Sequence, residues 1–525
     1  MRGMTIGLLV ALTFTGAESV SADDVSGARD LTIASPLAAF NPGPPLWLPP
    51  PMRPKTTTTT DDIEQVIDQC VGDAMALANT PGASVAVIVD GDLVYEQGYG
   101  VKRRGGTAAV NAQTRFRIGS VTKMFTAAGL MQQVEAGTVF LDDPVTKYVP
   151  EVDFLGHWPA EVMTVKQLLT HATGIPDLYF HPNGPTGPDA LSNWATSLDH
   201  VGLHAPPGVI YNYSNPNFNL AGLVIERASG MEYRSYMESR VFAPAGLSKT
   251  TFDGDTVAAG NATHGHTDDD TGNEITYAAD EYDNGEFGPA GYAFSTAGDL
   301  VKWARLLSDG GGAVLSSESA RAMQAIQQDT DTLPGFGYGY GIFVEPYYDL
   351  TVRQHGGNIW GWGSFLLWHP ERRFAVAVLA NTFQSLPDAA YCIAQHVLEP
   401  DTSVVIEPLP GDLDRWSVFE GMYDATVGTG WEASPYPVMG EVDIQSDEQL
   451  LLYLWDPQGH WSAFWFLDHI AHDLFYVDVN LDGSYDFDVS FITSPGPPEQ
   501  PRWLRMRPIV GYPQLVPRNG DRLVP

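Results

Sequence analysis

Two strand-forming stretches far apart in the chain constrain the fold more than any other feature. Residues 83–100, ASVAVIVDGDLVYEQGYG, read as an apolar run, an Asp90-Gly91 turn and an alternating run, the pattern of a β-hairpin. Strand patterns return from 337 onward in GYGYGIFV, TVRQHGG, GSFLLWHP and RRFAVAVLANT, and a helix follows over about 386–398. Between them lie helix and loop patterns such as TVKQLLTHATGIPD and NFNLAGLVIERASGMEYRSYMESRVFAPAGL. Apolar strands must pair and be covered. The strands that open and close the first 400 residues are therefore expected to meet in one sheet, with the helices inserted between them.

The rest of the chain divides around this unit. Residues 1–22 read as a signal peptide: one Arg, an apolar run from Ile6 to Phe14, and small residues at Val20-Ser21-Ala22. That run is shorter than the roughly 20 residues a bilayer span needs, and no cysteine marks a lipid attachment point, so an exported chain, secreted or periplasmic, without a stable membrane anchor is expected. Residues 23–60 hold NPGPPLWLPPPMRPKTTTTT, an extended linker because proline locks φ and removes donors. Order is expected from Asp61-Asp62, as the cap of an amphipathic helix through Ala78. The first folded unit is expected over 61–400, a linker over 401–412, and a β-rich, barrel-like accessory domain over 413–525, where short aromatic strands and turns replace helical periodicity. With 28 Lys+Arg against 64 Asp+Glu the net charge is −36, which argues against nucleic acid or an anionic membrane as partner.

The chemistry is carried by three short motifs. In RFRIGSVTKMFTAAGLMQQ, Ser120 and Lys123 are three apart and share a helix face, and a lysine on an apolar helix needs a reason. A hydroxyl at a helix start lies beside backbone N–H groups that stabilise an anion. Alone, Ser-x-x-Lys reads first as an ordinary helix cap. Further on, PPGVIYNYSNPNFNLAGLVIE places Tyr213-Ser214-Asn215 before an amphipathic helix, and RQHGGNIWGWGSFLLWHP places His355-Gly356-Gly357 in a strand pattern.

Ser-x-x-Lys, Tyr-x-Asn and a basic residue before x-Gly, in this order, resemble the serine β-lactamase and penicillin-binding superfamily, and most of all its class C and DD-peptidase/esterase branch. The phrases PGASVAVIVDG, LDDPVTKYVPE, QLLTHATGIPD, PAGYAFSTAGDLVKWARLL and HPERRFAVAVLANT are similar to that branch and extend the resemblance over about 63–400. The resemblance implies an α/β (α+β) sandwich: an antiparallel sheet flanked by helices, plus an all-helical region, with the active site at their junction. It implies a serine hydrolase acting on an ester, an amide or peptide, or a β-lactam through a seryl ester, without metal or organic cofactor.

Carried over residue by residue, Ser120 is the nucleophile and Lys123 or Tyr213 its proton acceptor, a choice the sequence leaves open. Asn215 holds Lys123 and contacts a substrate amide. The N–H groups of Ser120 and Asn358 form the oxyanion hole, Gly356 and Gly357 let substrate lie close, and His355 borders the leaving end, binding a carboxylate or nothing. His-Gly-Gly departs from the Lys-Thr-Gly of drug-hydrolysing members, so weak β-lactam turnover is expected. The resemblance also packs the first and last helices of this unit together, which pairs Cys70 with Cys392. Two rival readings are a catalytically silent, penicillin-recognising homologue and a cell-wall binder acting through its C-terminal domain. The substrate expected is a small molecule or peptide, possibly derived from cell wall, and the oligomeric state is not legible.

Other constellations read as structural. His171 in LLTHATG is expected to support the fold, and His460, His469 and His472 to sit on a β surface rather than on a metal. Asp478, Asn480, Asp482 and Gly483 fit the first half of a calcium loop, but Val489 stands where the closing Glu belongs, so a plain hairpin is preferred. The acidic stretch 267–274 is expected to be a solvated loop.

Overall fold

The structure is a computed structural model. It describes residues 60–404, except 155–159, 178–182, 204–206, 209–210, 269–273 and 331–334, and beyond 404 the backbone of strands between 421 and 517. The expected leader and proline-rich linker lie outside the described residues, and among those described no helix is long and apolar enough to cross a membrane.

Helix α1 (Thr60–Leu77) buries Ile67, Cys70, Val71 and Ala74, the i, i+3, i+4, i+7 stripe of an amphipathic helix. Strands β1 (Gly82–Val89) and β2 (Asp92–Gly100) form the expected hairpin. Asp90 (φ 53°) and Gly91 (φ 89°) are both left-handed, as a two-residue turn between twisted strands requires. Helices α2 (Thr122–Glu135), α3 (Asn215–Ser229) and α4 (Ala297–Ser308) follow, among shorter helical turns. The chain then returns through β3 (Gln328–Asp329), β4 (Gly337–Tyr338), β5 (Phe343–Tyr347), β6 (Leu350–Ile359), β7 (Trp362–His369) and β8 (Phe374–Ala380), and ends this unit with α5 (Pro387–Leu398). The GYGYGIFV stretch is two strands rather than one, because Gly341 (φ 72°) turns the chain between them.

The eight strands form one antiparallel sheet in the order β2-β1-β8-β7-β6-β5-β4-β3. The opening and closing strands do meet, with Val85 opposite Val378 and Val87 opposite Val376. Strands β7 and β8 are buried along their whole length and β1 along all but its last residue, because helices cover both faces of the sheet. Val85, Val87, Val376 and Val378 point into a core with Ile67, Val71, Ala390 and Ile393 of α1 and α5. Their neighbours Ala86, Ile88, Ala377 and Leu379 point the other way, into a larger core with Phe125, Leu300 and Trp303. Each buried Val, Leu or Ile among them contributes about 1.5–3 kcal/mol, and a one-residue slip of β1 would exchange both sets at once.

Helices α1 and α5 pack together on one face, and Cys70 and Cys392 are joined by a disulfide with their Cα atoms 5.9 Å apart. The stretch expected to be an acidic loop is flanked by a small ladder, Gly265–Asp268 against Glu274–Tyr277. Beyond residue 420 eight consecutive strands, from Gly421–Ala425 to Gln514–Pro517, each run antiparallel to the next, and the first and last approach each other. His469 falls in one of them, Ser462–Ala471, whereas His460, His472 and the Asp478, Asn480, Asp482, Gly483 turn lie outside the described residues.

Candidate active site

Ser120 is set in place by a turn squeezed between a helix and the sheet. Phe116-Arg117 pair with Phe294-Ser295, and Ile118 N–H donates to the Ala293 carbonyl at 3.0 Å. A 3₁₀ turn over Gly119–Val121 then leads into α2, so Ser120 stands two residues ahead of the helix rather than at its first position. The cap on the Gly119 carbonyl comes from Thr122, whose Oγ1 donates to it at 2.7 Å, and Ser120 is left half-buried and uncommitted to capping.

Two glycines make the turn's contact with β6 possible. Gly119 is left-handed (φ 48°), and a Cβ there would stand 2.6 Å from Asn358 N. A Cβ on Gly357 would stand 2.1 Å from the Ile118 carbonyl oxygen and 2.8 Å from Ser120 N. Ser364 Oγ ties the same carbonyl to β7 at 2.7 Å. The amides of Ser120 and Asn358 are thus brought close together on neighbouring backbones. Strand β6 pairs with β7 as far as Ile359 but with β5 only as far as Gln354, so residues 355–359 have strand pairing on one edge only.

Lys123 follows one turn after Ser120 and is completely buried. Its Nζ donates to Ser120 Oγ at 3.0 Å, to Asn215 Oδ1 at 2.6 Å and to the Ala290 carbonyl at 2.8 Å. The ring of Tyr213 lies 4.9 Å from the amine and that of Phe218 5.7 Å. Burial lowers the Lys123 amine to about 7, with Asp177 pulling the other way. Two of the three acceptors are carbonyl oxygens, which only accept. When the amine is neutral its two protons therefore stay on Asn215 and Ala290, and its lone pair is left facing Ser120. That is the geometry of a base beside a nucleophile.

Asn215 opens α3 and is almost fully buried. Its N–H donates to Asp177 Oδ1 at 2.8 Å and its Nδ2 to Asp177 Oδ2 at 3.3 Å. Desolvation raises the Asp177 carboxyl to about 6 against the opposing pull of Asn215 and Lys123. Asp177 ends the phrase QLLTHATGIPD, which marks it in the sequence without revealing that it reaches Asn215.

His171 packs under Tyr213 with ring centroids 4.3 Å apart and accepts from Ser214 N–H through Nδ1 at 3.1 Å. The proton therefore sits on Nε2, and burial keeps the ring neutral. Its supporting role agrees with the sequence reading.

His355 Nδ1 donates to the Gly356 carbonyl at 2.5 Å and its Nε2 accepts from Tyr338 Oη at 3.0 Å. Burial, followed by the Lys123 charge, lowers it to about 3, and both ring nitrogens are taken up by these neighbours. Phe343 packs on it at 5.3 Å between ring centroids. Among the described residues, the one His/Cys/carboxylate group close enough for a metal is Cys70, Cys392 and His396, and the disulfide occupies both sulfurs.

A helix-covered antiparallel sheet with Ser-x-x-Lys pressed against a glycine-bearing strand defines the penicillin-recognising class of serine-dependent proteins. Residues 67–399 match the family described as Beta-lactamase, and the chain belongs to that family of serine hydrolases. It is 31% identical over 314 residues to penicillin-binding protein 4 of Amycolatopsis lactamdurans, covering 58% of this chain and 81% of that one. It is 26% identical over 335 residues to Protein flp of Staphylococcus aureus (strain MW2), covering 61% of this chain and spanning only 64% of that relative's length. A solved D-stereospecific amidohydrolase from Streptomyces sp. aligns with TM-score 0.53 and 27% identity, over 65% of this chain and 98% of its own.

Proposed function

We propose that the chain is an exported serine hydrolase that cleaves uncharged esters or amides through a seryl acyl-enzyme. The observation that carries this is the arrangement of acceptors around Lys123 Nζ, which directs the free amine's lone pair at Ser120 Oγ. Ser120 Oγ attacks the carbonyl carbon as its proton passes to Lys123, and the N–H groups of Ser120 and Asn358 receive the charge on the former carbonyl oxygen. Tyr213, beside the amine, hands the proton on to the leaving group, and water then repeats the sequence on the ester. The acyl chain lies along residues 355–359, whose second edge is not strand-paired.

A His355 ring whose nitrogens are taken by Gly356 and Tyr338 offers no donor to a free carboxylate, so D-Ala-D-Ala peptides and β-lactams are poor substrates in this reading. The amidohydrolase similarity adds support for an amide. The Cys70–Cys392 bond suits an oxidising compartment, in keeping with export.

The test compares p-nitrophenyl esters, amino-acid amides of both configurations, D-Ala-D-Ala peptides and nitrocefin. Turnover of the first two groups is expected, together with a fluorophosphonate mass gain that Ser120→Ala abolishes. Hydrolysis by Ser120→Ala with an unchanged far-UV spectrum would overturn the reading, and acylation without turnover would leave a binding protein.

A further inference from the structure

We infer that Asp177 is a positioning residue for the reaction: through the Asn215 side-chain amide it holds Lys123 as the base and steadies the ammonium formed when Lys123 takes the Ser120 proton. This rests on the reading of Ser120 and Lys123 given above. The amide links the two charges directly, with Lys123 Nζ on Oδ1 at 2.6 Å and Asp177 Oδ2 on Nδ2 at 3.3 Å. The Lys123 ammonium offers donors only and a carboxylate acceptors only, so the Asn215 amide can face this charged pair in one orientation and not the other. Flipped, it would set Nδ2 against the lysine donors and Oδ1 against a carboxylate oxygen.

The second Asp177 bond, from the Asn215 backbone N–H at 2.8 Å, anchors the carboxylate at the start of the 15-residue α3, where the helix dipole favours an anion. The other ionisable groups facing Lys123 are the His171 and His355 rings and the Tyr213 phenol. Both imidazoles are held neutral, which leaves Asp177 as the anion acting on Lys123. During acylation the Oγ–C bond forms and the carbonyl π pair moves to oxygen. The proton leaving Oγ gives Lys123 a positive charge that Asp177 balances through the amide. A buried aspartate does the same for histidine in a Ser-His-Asp triad.

An alternative role, a remote helix cap for α3, would affect stability alone, and the experiment separates the two. Fluorophosphonate labelling of the wild-type chain, lost in Ser120→Ala, is scored first; its absence removes the proposed function and this inference together. In Asp177→Asn the new Nδ2 faces the Asn215 Nδ2 and drives the amide to flip. The expected result is a fall in kcat of about 100-fold, the scale of a small misplacement at a reacting centre, with KM little changed. The acid limb of kcat/KM moves down by about one unit, because the anion that favoured the ammonium is gone. The exchange variant Asp177→Asn with Asn215→Asp restores each hydrogen bond, with a carboxylate now touching Lys123. Its acid limb is expected above that of the wild type, because the anion now touches the ammonium directly. With labelling intact, Asp177→Asn retaining kcat within about twofold and an unmoved acid limb would overturn the inference, as would an exchange variant whose acid limb lies no higher than that of Asp177→Asn.

Discussion

Lys123 illustrates how much one buried amine asks of its surroundings. Loss of hydration alone would make an ammonium there costly, and the chain answers with three oxygen acceptors and a nearby carboxylate. The pH sign follows from the direction of the shift. The folded-state amine releases its proton near 7 instead of 10.5, so the reactive free base is the minor form below 7 and the major form above it. We expect kcat/KM on a neutral ester to rise with pH up to that point, with Asp177 titrating at about 6 on the same limb, and to level off above it. His355, lowered to about 3, contributes no limb between pH 5 and 9. A profile flat from pH 5 to 8 would remove Lys123 from the role of base.

Helices α1 and α5 form the element that closes the unit, since they bring its two ends together over β1 and β8. The Cys70–Cys392 bond joins residues 322 apart, a long loop whose closure restricts the unfolded chain. Replacing both cysteines by serine is expected to lower stability by about 2–5 kcal/mol, read from denaturant unfolding. Activity should persist in the folded variant, because α2 and Ser120 lie with the core on the opposite face of the sheet. Loss of kcat without loss of stability would show instead that the two faces are coupled.

At the scale of the whole molecule a charge of −36 sets a field that repels anions. An anionic ester is expected to react more slowly than its neutral analogue at about 10 mM salt and to catch up at about 150 mM, where the Debye length falls from about 30 Å to about 8 Å. The neutral ester should change little, and measuring kcat/KM for the pair against ionic strength gives the answer. A salt-independent ratio would place the discrimination within the site, at His355, rather than in the long-range field.

The sequence by itself determined that the opening and closing strands share one sheet, and through resemblance it pointed to the class of fold and the candidate site motifs. Its two strand clusters had to share one sheet because apolar strands pair and must be covered, and the Ser120, Lys123, Tyr213 and Asn215 motifs announce themselves as local patterns. The pairing of Cys70 with Cys392, between the first and last helices, was legible only through resemblance. Tertiary structure alone decided that His355 is buried between Gly356 and Tyr338, that Gly119 and Gly357 allow the two amides to approach, and that Asp177 belongs with Asn215. The physical reason is that protonation depends on desolvation and on partners far along the chain. Asp177 and Asn215 are 38 positions apart, and only the packing of the 171–177 segment against the start of α3 brings them into contact.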